Sequence, residues 1–126
     1  MRPNSLAEVA ALAAGGDSFD RCLANFLDGF YASPGETALR ERPGLLAPKF
    51  GETGRVQDAY LAATAEELVR RFGLPLPAWT WEEDRRLRRP WFATTLAAVR
   101  VVLLLESPAA FRARNLFVSE NALSRA

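Results

Sequence analysis

Three tryptophans and four arginines form the densest concentration of side chains in this sequence that could act at a binding surface. Trp79, Trp81 and Trp91 fall within thirteen residues of one another. Tryptophan and arginine are the residue types that most often carry the binding energy of protein interfaces. We therefore predict a partner-binding surface for a second copy or another protein, formed by Trp79, Trp81, Arg85, Arg86, Arg88 and Arg89.

Two other interpretations of this segment are open at the level of the sequence. The tryptophans could fill the space between a proline-rich loop and the next helix, because tryptophan is heavily buried on average. The arginines could contact nucleic-acid phosphates. Three acidic residues, Glu82, Glu83 and Asp84, stand directly beside them, and the isoelectric point of about 7.9 is far below that of typical nucleic-acid-binding domains. Nucleic-acid association is therefore the first alternative.

A second cluster of arginine, asparagine and phenylalanine lies near the C-terminus, in "ESPAAFRARNLFVSENAL". We interpret Arg114, Asn115 and Phe117 as a structural anchor. A buried Arg114 would bind backbone carbonyls or Glu106, because its guanidinium offers several rigidly placed donors. Asn115 tolerates the left-handed conformation that ends a short helix.

Catalytic and metal-binding chemistry has few candidates here. The sequence contains no histidine and one cysteine, which argues against a zinc site and against Ser-His-Asp or Cys-His catalysis. It also lacks the glycine-rich phosphate-binding motifs. We predict no catalytic residue, no metal and no cofactor. A small enzyme that uses carboxylates alone is the second alternative.

The remaining candidates for chemistry are expected to be structural. Adjacent residues on a helix do not face each other, so Glu66-Glu67 and the acidic run from Glu82 to Asp84 are interpreted as solvated faces. Cys22 falls on an apolar helix face and is interpreted as a small buried hydrophobe.

Length predicts one domain, residues 1–126. The single cysteine and the lack of a secretory segment at the start of the sequence favour a reducing, cytoplasmic setting. No apolar run is long enough for a membrane helix.

Residues 1–69 carry six basic and ten acidic side chains, a net charge of −4, whereas residues 70–126 carry ten basic and five acidic ones, a net of +5. The two halves should therefore attract each other or present opposite faces.

Apolar periodicity predicts an all-α fold, a single-domain bundle of about five to seven helices with a docked C-terminal tail and at most one short pair of strands. The clearest helix has Phe19, Cys22, Leu23, Phe26, Leu27 and Phe30 on one face. Residues 43–54 are predicted to be a loop, and residues 53–72 a second long helix ended by Gly73. Residues 90–106 are predicted to be a central, buried helix, because their C-terminal half is apolar nearly all round.

Three segments of the C-terminal half, "GLPLPAWT", "RRPWF" and "ESPAAFRARNLFVSENALSRA", resemble a group of small uncharacterised bacterial proteins. That group carries P-x-W, P-W-F and S-P-x-x-F-x-x-R-N-[IL]-F-V-like segments in this order, and the resemblance covers roughly residues 45–126. Its members look like antitoxin-type partners of nucleotidyltransferase-like toxins. The resemblance implies a non-enzymatic, antitoxin-like protein that neutralises a cytoplasmic toxin, with no catalytic residues to carry over. Some relatives have an N-terminal DNA-binding helix-turn-helix, whereas the first helices here are acidic and rich in phenylalanine.

Overall fold

A computed structural model describes residues 2–125 and shows a mainly helical fold, which confirms the predicted class. The α-helices of this range are α1 (Leu6–Ala14), α2 (Phe19–Ala32), α3 (Thr37–Arg40), α4 (Ala47–Phe50), α5 (Glu52–Phe72), α6 (Ala97–Glu106) and α7 (Ala109–Arg112). Two short 3-10 turns span Ala78–Trp81 and Glu83–Arg85. The strands β1 (Trp91–Phe92) and β2 (Leu116–Phe117) form one short parallel pair.

Helices α1 and α2 each begin after a serine that caps the helix. The Ser5 hydroxyl accepts a hydrogen bond from the Glu8 amide at 3.1 Å, and the Ser18 hydroxyl accepts one from the Arg21 amide at 3.2 Å. Each bond satisfies an amide that has no partner within its helix. The six periodic apolar residues of α2 are all buried, as the sequence predicts.

Helix α5 is the centre of the molecule. Apart from the partly buried Tyr60, residues 58–68 are buried, although this stretch is less apolar than α2, because other elements cover α5 on several sides. It ends at Gly73, whose φ of 65° is the left-handed conformation expected after a helix. Residues 43–54 are not the continuous loop that we predicted, because α4 packs against the start of α5. Any side chain at Gly54 would collide with the backbone of Leu46 there.

The C-terminal tail is docked on the body, as predicted. Leu116, Val118 and Leu123 are buried, and the Tyr31 hydroxyl of α2 donates a hydrogen bond to the Leu123 carbonyl at 2.8 Å. Strand β2 pairs with β1 through Trp91 with Leu116 and Phe92 with Phe117. After Ser119 the tail ends in turns.

The prediction of a central, buried helix over residues 90–106 is wrong in both extent and burial. The chain is extended at β1, becomes helical only at Ala97, and leaves α6 on the outside of the fold. Leu103 is the one residue of α6 that is buried. Within residues 2–125, no helix combines the length and apolar character needed to cross a membrane.

Candidate functional site

Two of the six residues predicted to bind a partner lie in the core instead. Trp79 is 6% exposed, and its indole N–H donates a hydrogen bond to the Leu39 carbonyl at 3.0 Å. Arg85 is fully buried, stacks over the Trp79 ring at 4.8 Å and donates to the Pro43 carbonyl at 2.5 Å and to Glu82 at 2.9 Å. Both side chains are used to hold α3 and α5 to the segment after α5, so they are unavailable to a partner.

The other four predicted residues are exposed and form what we call the arginine surface: Trp81, Arg86, Arg88 and Arg89. Within the described part of the chain, these three arginines take part in no ion pair. Trp81 is 54% exposed, and the Arg114 guanidinium lies 5.5 Å from its ring centre. An aromatic ring and three unpaired cations therefore face solvent on one short segment.

Arg114 is buried and binds backbone carbonyls, which is the contact expected of a structural anchor. Its guanidinium donates to the Ala110 carbonyl at 2.7 Å and to the Thr80 carbonyl at 2.9 Å. The carboxylate beside it is Glu66, at 2.8 Å, and not the expected Glu106. Arg114 therefore joins α7, the Ala78–Trp81 turn and α5 in one network.

Asn115 and Phe117 hold the segment that follows. Asn115 has a φ of 63° and donates from its amide to the Leu87 carbonyl at 2.7 Å. Phe117 stacks on Phe92 with ring centres 5.0 Å apart, beside the β1–β2 pairing. These contacts fix the short strand pair from which α6 projects.

Glu66 and Glu67 are buried, so our prediction of a solvated face is wrong for this pair. Each forms an ion pair one helical turn away, Glu66 with Arg70 at 3.0 Å and Glu67 with Arg71 at 3.3 Å. Helix α7 packs against α5, which the spacing along α5 does not reveal, and Arg114 just after α7 is an additional cation for Glu66.

Two further ionisable groups are structural. Cys22 is a buried free thiol, as predicted, and burial raises its pKa.

Asp58 of α5 is a buried carboxylate that was not predicted from the sequence, and it accepts hydrogen bonds from the amides of Leu46 at 2.7 Å and Ala47 at 3.1 Å. Burial raises the Asp58 pKa, while the two amide bonds and Arg85 oppose that rise. The signal in the sequence that could have indicated this role is an aspartate within an apolar helix face, eight residues after the end of α4.

The most exposed apolar element within residues 2–125 is α6. Ala98, Val101, Val102 and Leu105, which we call the α6 stripe, follow i, i+3, i+4, i+7 spacing and face away from Leu103. Val101 is 57% exposed, Val102 49% and Leu105 79%. This spacing is that of a helix face that packs against another helix, yet the stripe faces solvent.

Both ends of α6 are firmly attached to the fold. At its C-terminus, the Ser107 hydroxyl lies 2.6 Å from the Leu103 carbonyl and accepts a hydrogen bond from the Val118 amide at 2.8 Å. At its N-terminal half, Arg100 lies over the Phe92 ring at 5.1 Å and donates to the Thr94 carbonyl at 3.3 Å. The stripe is therefore presented by a helix with a defined position.

A groove of about 840 Å³ separates α2 and the first half of α5 from β1 and the tail. Phe19, Leu27, Tyr60 and Trp91 contribute apolar walls, and two exposed carboxylates, Asp20 and Glu52, also line it. Burial raises the pKa of Tyr60 to about 12, with Asp20 adding to that rise. The volume lies within the usual range for small-molecule sites.

Among residues 2–125, no three side chains of metal-binding type gather in one place. A scan against protein-family models and searches of curated proteins and of solved structures found no significant match. Two features that the geometry places at the surface, the α6 stripe and the arginine surface, are therefore the basis for a functional assignment.

Proposed function

We propose that this chain is a non-enzymatic protein-interaction module. The observation that carries the proposal is the solvent-facing α6 stripe, an apolar helix face with packing periodicity that residues 2–125 leave uncovered. Large contiguous apolar patches on soluble proteins mark interaction sites. The arginine surface is the second contact region of the proposal.

The energetics of α6 support this assignment. Six large apolar residues of this region, Leu96, Val99, Val101, Val102, Leu104 and Leu105, are exposed, and their exposed fractions amount to about three whole side chains. Burying a valine or leucine contributes about 1.5–3 kcal/mol, so covering this region is worth about 5–10 kcal/mol per chain. A partner that covers α6 therefore offsets a substantial part of the cost of association.

The class of heterologous partner comes from the resemblance of the three C-terminal segments to antitoxin-type proteins. We assign the partner as a cytoplasmic toxin that this chain neutralises by occupying its surface. A cytoplasmic setting belongs to the same proposal, and the single cysteine supports it, because cytosolic proteins keep their thiols reduced.

The ability of arginine to pair with carboxylates supports a protein partner for the arginine surface. Arg86, Arg88 and Arg89 are exposed and free to form bidentate pairs with carboxylates of another chain. Trp81 supplies the apolar anchor beside them. Truncating such residues in the centre of an interface typically weakens a complex by ~1–4 kcal/mol.

The test is a pull-down with the tagged full-length chain as bait. The expected prey is the protein encoded by the neighbouring gene. We expect the unaltered chain to retain it, the double variant Arg86→Ala, Arg89→Ala to lose most of it, and Leu76→Lys to retain it. Leu76 is a suitable control because it is an exposed apolar residue outside both surfaces. Failure of the chain to associate with any protein, including itself, would overturn the proposal.

Nucleic-acid association is the first competing function, and the same three unpaired arginines beside an exposed tryptophan are the observation in its favour. Recovery of nucleic acid in place of a protein partner, with an affinity that falls steeply with salt, would establish it.

The carboxylate-only enzyme is the second competing function, and it rests on the groove that Asp20 and Glu52 share. Turnover that disappears in both Asp20→Asn and Glu52→Gln would establish it. Our proposal predicts no hydrolase or transferase activity in the purified chain.

A further inference from the structure

We propose that α6 packs against α6 of a second copy of this chain, as an antiparallel pair related by a two-fold axis. This inference rests on the proposed function, because it names the partner of the α6 stripe. The arginine surface then stays free for the heterologous partner. Three features of α6 carry the inference: the size gradient of the stripe, its lack of charge and its exposed extent.

The size gradient sets the direction of pairing. The stripe begins with Ala98, ends with Leu105 and has Val101 and Val102 between them. In an antiparallel pair, Ala98 of each copy faces Leu105 of the other and the valines meet at the axis. Small residues thus face large ones, as close packing requires. A parallel pair would set leucine against leucine at one end and leave a void between alanines at the other.

The charge distribution permits self-association. A two-fold interface brings identical groups close together, so a charged residue at its centre would face its own copy. The stripe contains no charged residue, and Arg100, which lies within α6, is held on the Phe92 ring and the Thr94 carbonyl on the side of the protein body. Pairing therefore buries no unpaired charge.

The exposed extent of α6 suits a dimer of moderate affinity. A two-fold contact counts every covered side chain twice, so the roughly two side-chain equivalents that Val101, Val102 and Leu105 expose in each chain become about four in the pair. The contact is still shorter than a long coiled coil, because α6 has ten residues. We expect a dimer dissociation constant in the micromolar range, so that monomer and dimer exchange reversibly.

The first experiment is sedimentation velocity of the purified full-length chain over a concentration series. We expect a reversible monomer–dimer equilibrium that the double variant Val101→Glu, Leu105→Lys abolishes. That variant places glutamate four residues before lysine, which supports the helix while it charges the stripe. Leu76→Lys is the matched control and should dimerise like the unaltered chain. A monomer at all concentrations would overturn the inference.

The second experiment tests the antiparallel register by exchanging the two ends of the stripe. Leu105→Ala alone and Ala98→Leu alone should each raise the dimer dissociation constant about tenfold or more, the first by leaving a void and the second by overpacking. The double variant Ala98→Leu, Leu105→Ala restores one large residue opposite one small residue at both ends. We expect its dissociation constant to return to within about threefold of the original, a difference below 1 kcal/mol.

An equimolar mixture of the two single variants should likewise form a heterodimer tighter than either homodimer, because each supplies the size that the other lacks. If the double variant dimerises no better than the single variants, the antiparallel pairing is wrong. Docking of α6 into the groove of the second copy would give that result.

The outcomes separate this inference from the proposed function. A chain that is monomeric alone but captures the neighbouring gene product disproves the self-pairing and leaves the interaction module in place. A chain that associates with neither disproves both.

Discussion

At the scale of single residues, two buried charged side chains hold the fold together at points where distant segments meet. Arg114 connects the C-terminal part of the chain to Glu66 in α5 and to the turn at Thr80. Asp58 connects α5 to the amides that begin α4. A buried charge is tolerated when hydrogen bonds and ion pairs compensate it, and removing one of these partners leaves that compensation incomplete.

Replacing Arg114 with alanine should therefore lower the free energy of unfolding by about 3–5 kcal/mol, since Glu66 loses its buried counter-ion. Lysine should rescue the loss only in part, because an ammonium cannot reach two carbonyls and a carboxylate in the same geometry. Urea unfolding measures the difference. Arg112→Ala is the control, because Arg112 is exposed, and it should stay within about 0.5 kcal/mol.

Asp58→Asn should destabilise the fold by about 1–3 kcal/mol, because an amide offers one acceptor oxygen where two backbone N–H groups need one each. The pH dependence has a defined sign. Burial raises the pKa of Asp58, so the folded state binds this proton more tightly than the unfolded state does. The resulting stability is fully present below the unfolded pKa of about 3.9 and is lost as the pH rises through the folded value.

The unaltered chain should consequently be more stable than Asp58→Asn by a wider margin near pH 4 than near pH 7. Urea unfolding of both proteins across this range gives the margin directly. A margin that narrows as the pH falls would mean that the folded pKa is lowered rather than raised.

At the scale of elements, α6 differs from the other long helices in what covers it. The apolar faces of α1, α2 and α5 are buried by one another and by the tail, whereas the α6 stripe faces solvent. A helix of ten residues is marginal alone. Its position therefore depends on Leu103, on the Ser107 contacts and on the Phe92–Arg100 contact.

Charging the stripe should for this reason leave the stability of the monomer nearly unchanged. In Val101→Glu, Leu105→Lys, the free energy of unfolding measured at concentrations below dimer formation should stay within about 0.5 kcal/mol of the original, as for other surface substitutions. Leu103→Ala, which removes the buried contact of the same helix, should cost about 2–5 kcal/mol. Comparable losses in the two variants would show that the stripe packs within its own chain.

At the scale of the whole molecule, the acidic N-terminal part and the basic C-terminal part are held together by ion pairs and by the docked tail. Arg114 pairs with Glu66, and Arg125 pairs with Asp28 at 2.9 Å. The hydrogen bond from Arg125 lowers the Asp28 pKa. The attraction expected between the two halves is thus found in specific contacts, and the tail adds the apolar ones.

Removing residues 116–126 should destabilise the domain by several kcal/mol, because each large buried side chain contributes ~1.5–3 kcal/mol and Leu116, Val118 and Leu123 are all lost. Thermal unfolding followed by circular dichroism measures the effect. The point variant Leu123→Ala should give a smaller loss in the same direction. An unchanged melting temperature after truncation would instead mark the tail as a partner-binding arm.

Local patterns in the sequence were sufficient for most of the helical structure and for part of the site. The period of the apolar residues predicted α2 and α5, Gly73 marked a helix end, and Asn115 marked a left-handed residue. These features depend on neighbours within one or two turns, which a sequence displays directly. Arg86, Arg88 and Arg89 are exposed, as expected for charged side chains so close together in the sequence.

The tertiary structure decided which charged and apolar groups are covered. Arg85 is buried because Trp79, Glu82 and the Pro43 carbonyl surround it, and Glu66 is buried because Arg114 reaches it from 48 residues away. Conversely, α6 is as apolar as a core helix and still faces solvent. The hydrophobic effect favours the burial of an apolar helix face, but it does not determine whether the same chain or another chain buries that face. That depends on where the long-range contacts leave each element.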